Sequence, residues 1–113
     1  MKIVRNKISI AELNNMAQEM FGNLVKAVVD VDKEIMVLGG ELHSDEEALL
    51  IKAGSKQQNL WGINLYPEIK DESWIEFDSL INLRPSQENR SRGVNNPEIR
   101  KKIIKIINNL VER

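Results

Sequence analysis

The sequence predicts an α+β fold: a single-domain sandwich, with a mainly antiparallel four- or five-stranded sheet and three helices packed on it, in the order β-α-β-β-α-β-β-α. Three observations lead there. Apolar residues recur at helical spacing behind a capping residue in three places. Between them lie runs of period-two alternation, the mark of a strand with one face in the core. Those runs come in consecutive pairs separated by turns, residues 24–31 with 35–38 and residues 60–66 with 74–83.

Taken in order, residues 2–5 make a short first strand. Ser9-Ile-Ala-Glu12 is a capping box for a helix over residues 10–21, with Leu13, Met16, Ala17 and Met20 on one face and Gly22 as the stop. In residues 24–31, Val25, Ala27, Val29 and Val31 alternate with Lys26 and Asp30, and an Asp32-Lys33 turn leads into residues 35–38. Gly39-Gly40 ends that hairpin. Ser44 with Glu47 makes a second capping box, with Asp45 and Glu46 in the first turn, where the helix dipole favours negative charge. Ala48, Leu49, Leu50 and Ala53 give this brief helix its apolar face before Gly54. Residues 60–66 put Trp61, Ile63 and Leu65 on one face, with Gly62, Asn64 and Tyr66 on the other. Residues 74–83 put Ile75, Phe77, Ser79, Ile81 and Leu83 toward the core, and Trp74, Glu76, Asp78, Leu80 and Asn82 away from it. Pro85 closes the strand just after Arg84. Asn96-Pro97-Glu98 opens the last helix, whose buried stripe is Ile99, Ile103, Ile106, Ile107 and Leu110, with Arg100, Lys101, Lys102 and Lys105 facing elsewhere.

A chain of 113 residues fits one domain, residues 1–113. With no cysteine, it has neither disulfides nor thiolate chemistry. No charged-then-apolar leader opens it and no apolar run suits a membrane span, so the expectation is a soluble cytoplasmic protein with no membrane partner. The formal charge of −1 hides a split. Residues 1–83 hold 8 Lys/Arg against 14 Asp/Glu, whereas residues 84–105 hold 7 against 2. That predicts an electropositive patch at one end, suited to an anionic partner but too small for a general DNA-binding surface.

The chemistry concentrates in residues 74–93. Arg84, Arg90 and Arg92, in and around a polar loop that leads to a helix start, suit the paired oxygens of a phosphate. Asn82 and Gln87 would orient such a ligand, and Trp74 would stack on a base. Proton transfer falls to His43, the only histidine, and to Glu76. These residue types suit metal-independent cleavage of a phosphodiester, as a ribonuclease or phosphodiesterase would perform it. Glu41, His43, Asp45 and Glu46 lack the spacing of a metal site, so neither metal nor cofactor is expected. The leading expectation is binding of a phosphate-bearing ligand, nucleotide or RNA, with cleavage as the associated activity. The alternative is a non-enzymatic protein–protein interaction module or homodimer. The enzyme reading requires Glu76, Arg84 and His43 to share one cleft.

Three blocks, AVVDVDKEIMVLGGELHSDEEALL, GSKQQNLWGINLYP and WIEFDSLINLRPSQENRSRG, together resemble the signature of a family of small prokaryotic proteins known only as a domain of unknown function. The resemblance spans nearly the whole chain. It implies no substrate, cofactor or catalytic residue.

Overall fold

Alternation in the β-branched stretches builds one five-stranded sheet. The computed structural model describes all residues from Met1 to Arg113. Strands β1 (Lys2–Val4), β3 (Val25–Asp30), β4 (Ile35–Leu38), β5 (Leu60–Leu65) and β6 (Ile75–Glu76) lie in the order β1-β4-β3-β5-β6, every neighbouring pair antiparallel. The mainly antiparallel α+β architecture with three helices is thus as predicted. The β3–β4 turn is fixed by Asp30, whose Oδ1 accepts the amides of Asp32 and Lys33, each at 2.9 Å, and whose Oδ2 accepts the Ser55 hydroxyl at 2.6 Å. A buried carboxylate with three donors is satisfied, so it stabilises the turn.

The helices are α1 (Ile10–Met20), α2 (His43–Lys52) and α3 (Pro97–Leu110). They cover both faces of the sheet. Val25, Ala27, Val29, Met36, Leu38, Trp61, Ile63 and Leu65 pack with Leu13 and Ala17 of α1 and with Ile103, Ile106 and Ile107 of α3. On the other face Val28, Ile35, Val37 and Leu60 pack with Leu50 of α2. No helix is long and apolar enough to cross a membrane.

Caps form where the sequence places two of them. The Ser9 hydroxyl accepts the Glu12 amide at 3.1 Å, and the Asn96 side chain accepts the amides of Glu98 at 2.8 Å and Ile99 at 3.4 Å. Glu12 leaves its box half closed, because its carboxylate takes Lys2 Nζ at 2.7 Å. Two further strands have no local signal: β2 (Ile8–Ser9) and β7 (Val111–Glu112) pair in parallel and tie the two ends of the chain together.

Two expectations are corrected. Residues 74–83 are not one strand: only Ile75–Glu76 pairs with β5, and Leu80–Asn82 and Pro85–Gln87 are 3-10 turns. The reason lies in hydrogen bonding. The Ser79 amide turns to the Arg92 carbonyl at 2.9 Å, and the Asn82 side chain takes both the N–H and the C=O of Gly62, at 2.8 and 2.9 Å, where a neighbouring strand would have bonded. The expected sidedness fails with it. Asn82 is buried, Leu83 is exposed, and Trp74 lies in the core instead of beside the acids, whereas buried Ser79 and exposed Leu80 keep their expected sides. The second correction concerns α2. It starts at His43 with Leu42 as an N-cap that supplies no side-chain bond, so the Ser44–Glu47 box does not form.

Candidate functional site

The register across β3, β5 and β6 sets Lys26 opposite Asn64 and Asn64 opposite Glu76, three polar side chains in one row across the sheet. The row lies on the face that α2 covers, at the end where that helix begins. His43, the first residue of α2, donates from Nε2 to the carbonyl of Ile63 at 2.8 Å. Because a carbonyl only accepts, the proton sits on Nε2 and Nδ1 keeps a free lone pair. Burial holds the imidazole below its ordinary pKa and the Ile63 carbonyl opposes it, with the charges of Lys26 and Arg92 lowering further and Asp78 raising. The ring is neutral at pH 7.

Beside His43 opens a cleft of about 230 Å³ lined by Lys26, Leu42, Ser44, Ile81 and Arg92 among others. Asp78 holds Arg92 Nε at 2.6 Å, which raises the guanidinium pKa. The amides of His43 and Ser44 have no partner, because Leu42 offers no cap. This corner therefore carries two cationic side chains and two open amides.

The other end of the row is a hydrogen-bonded cluster. Glu76 Oε1 accepts from Asn64 Nδ2 at 2.9 Å and from the Tyr66 hydroxyl at 3.0 Å. Burial and then the Glu76 carboxylate push the phenol above its ordinary pKa. Asn64 Nδ2 also reaches the Asp78 carbonyl at 3.3 Å, whereas Asn64 Oδ1 is buried without any donor. Such an orphaned acceptor costs about 1–3 kcal/mol.

His43 and Glu76 are thus held to the consecutive β5 residues Ile63 and Asn64, and Arg92 lines the cleft with His43, whereas Glu76 stands outside its lining. Arg84 does not. Its guanidinium donates to the carbonyls of Ile81 at 3.0 Å, Gln57 at 2.7 Å and Leu60, and to Gln87 Oε1 at 3.2 Å, and lies 4.3 Å above the Trp61 ring. Only 9% of Arg84 is exposed, and burial lowers its pKa. It ties the 84–89 loop to the start of β5, with its N–H groups turned inward rather than toward a ligand. Gln87 completes that tie by donating to the Gln58 carbonyl at 3.1 Å. Asn82 is committed to Gly62 and to the Arg92 carbonyl at 2.9 Å, and Trp74 lies beneath Arg113, 4.5 Å from its ring, so neither lines the cleft. Arg90 projects from the exposed tip of the loop.

The loop is built rather than loose. Asn89 donates to the carbonyls of Asn82 at 2.7 Å and Gly93 at 2.8 Å and accepts the Asn95 amide at 2.8 Å. In the acidic stretch before and within α2, no three carboxylate or imidazole groups converge as metal ligands. Glu46 instead turns inward, fully buried, and accepts the Gly40 amide at 3.0 Å. The residues to which sequence reasoning gave no role in the site are Lys26 and Asn64. Asn64 was the available signal, as a lone polar side chain within the strand Leu60–Leu65.

Fold and site together define a three-layer α+β protein with a polar cleft where a helix begins over three antiparallel strands. The chain belongs to the family described as Protein of unknown function (DUF5674), whose model matches residues 2–110. No curated protein and no solved structure matches it.

Proposed function

We propose that the protein binds a phosphate-bearing ligand, a nucleotide or RNA, in the cleft beside His43. One observation carries this reading: the open amides at the start of α2 share a cleft with Lys26 and Arg92. Phosphate suits such a corner, because amides at a helix N-terminus and the dipole behind them favour an anion. The Arg92–Asp78 pair is no obstacle. Both side chains are about half exposed, and an exposed pair is worth only about 0–1 kcal/mol, so Arg92 can exchange Asp78 for phosphate. The His43 imidazole, neutral and with Nδ1 unoccupied, is the proton-transfer group of this reading, able to take the proton of a ribose 2′-hydroxyl.

The test is a thermal-shift series on the full chain with inorganic phosphate, adenosine 5′-monophosphate and a short RNA. A ligand at a hundred times its Kd stabilises by about 2.7 kcal/mol, a rise of about 10–15 °C in a domain of this length. Lys26→Ala and Arg92→Ala each reduce the rise, and His43→Ala abolishes any RNA cleavage without removing binding. No rise with any of the three compounds, or rises unchanged in both variants, would overturn the reading.

A second reading rests on Leu42 and Leu80, 55% and 66% exposed at the cleft rim. Exposed leucines side by side suit a protein partner or a second copy of the chain. Self-association that Leu80→Asp abolishes in sedimentation would favour it.

A further inference from the structure

Resting on the phosphate reading, we infer that the ligand is a phosphate ester with free hydroxyls, and that Glu76 reads those hydroxyls. The Lys26–Asn64–Glu76 row crosses two strand spacings, about 10 Å, so its cationic and carboxylate ends stand roughly one pentose phosphate apart. The charges fix the direction. A phosphate is drawn to Lys26 and Arg92 and repelled by Glu76, which leaves the uncharged part of the ester at the carboxylate.

Glu76 is arranged to accept there. Asn64 and Tyr66 both donate to Oε1, which sets the plane of the carboxylate and leaves Oε2 with both of its lone pairs. No lysine or arginine pairs with Glu76, since the ion pairs of the molecule are Lys2–Glu12, Arg92–Asp78 and Lys101–Glu98. The side chain is half-buried, so a hydrogen bond to it is partly shielded from water. Asn64 Nδ2, which also reaches the Asp78 carbonyl at 3.3 Å, helps to hold that carboxylate in place. The two lone pairs of Oε2 match two neighbouring O–H donors. A ribonucleotide and a sugar phosphate both offer that chemistry.

The experiment is calorimetric titration of the full chain with ribose 5-phosphate, adenosine 5′-monophosphate, its 2′,3′-dideoxy counterpart and inorganic phosphate. A hydroxyl bonded to a carboxylate is worth about tenfold to a hundredfold in affinity, so the dideoxy compound binds weaker by that factor. In Glu76→Gln the ratio between the two nucleotides falls toward one, and Tyr66→Phe lowers it partway; circular dichroism checks that both variants are folded. Ribose 5-phosphate binding as tightly as the nucleotide identifies a sugar phosphate, and a much tighter nucleotide identifies a ribonucleotide. Equal binding of the two nucleotides to the unaltered chain, with inorganic phosphate still bound, overturns the hydroxyl assignment and leaves the phosphate site standing. Binding of none of the four compounds, inorganic phosphate included, overturns both.

Discussion

Arg84 and Glu46 are charged side chains placed where water is scarce, and they differ in how they are compensated. Arg84 gives its N–H groups to three carbonyls and to Gln87 and stacks on Trp61. Arg84→Ala strips donors from acceptors in the interior, and the expected loss is about 3 kcal/mol or more in urea unfolding. Arg84→Lys recovers little of it, because a single ammonium cannot reproduce the fork. Nucleotide binding by folded Arg84→Lys should be unchanged, in contrast to Arg92→Ala. Glu46 has one amide donor and nothing at Oε1, and burial pushes its pKa up to about 9 from 4.5. The folded state therefore holds this proton more tightly than the unfolded chain does. The stabilisation is fully present below pH 4.5 and is lost as pH rises toward about 9. Within that window the Glu46 contribution falls by up to about 1.4 kcal/mol per pH unit. Glu46→Gln keeps the acceptor for Gly40 and removes the titration. Urea midpoints at pH 5 and pH 8.5 should diverge in the unaltered chain and converge in the variant; equal divergence in both would show that Glu46 is not the source.

Elements were legible where their signals are local. Ser9 and Asn96 cap α1 and α3, and the alternation in β3 and β5 marks residues that pair across those strands. The same alternation misled in residues 74–83, because an extended segment whose partners are side chains repeats every two residues just as a strand does. Asn82 stands in for a strand at Gly62, and the 3-10 turn Glu72–Trp74 puts Trp74 in the core. The site divides along the same line. His43, Glu76 and Arg92 stood out by residue type and Asn64 as a lone polar side chain in its strand, whereas the row that joins Lys26, Asn64 and Glu76 enters only through strand register, which no single segment encodes. The start of α2 offers a test at this scale. Leu42 is the N-cap, extended at φ −128° and ψ 139°, and exposed, so an acid fits the position without strain. Leu42→Asp should cap the open amides and raise stability by about 0.5–2 kcal/mol. The same carboxylate would compete for the proposed phosphate position, so a higher melting temperature should come with weaker phosphate binding in one titration series. A stabilised variant that binds phosphate as before would place the anion elsewhere.

Across the whole molecule, the basic excess of residues 84–105 does not collect at one pole. Arg84 points inward and Arg92 stands at the cleft, while Lys101, Lys102 and Lys105 lie on α3, against the opposite face of the sheet. What closes the molecule is the meeting of its two ends. Val111 is 8% exposed and pairs with Ile8, Lys7 Nζ donates to the Asn109 carbonyl at 2.5 Å, and Arg113 covers Trp74. Removing residues 111–113 gives up the burial of Val111, about 1.5–3 kcal/mol, and the cation–π contact, about 0.5–1 kcal/mol. A fall of that size lowers the melting temperature by about 10–20 °C in a domain of this length. Fluorescence separates the two contributions. Trp74 is 5% exposed beneath Arg113, whereas Trp61 is 2% exposed beneath Arg84. Arg113→Ala should therefore shift native emission to the red with a melting temperature only slightly lower, and the truncation should add the larger loss of stability. A truncated chain that melts with the full one would mean that β2 and β7 pair without contributing to the fold.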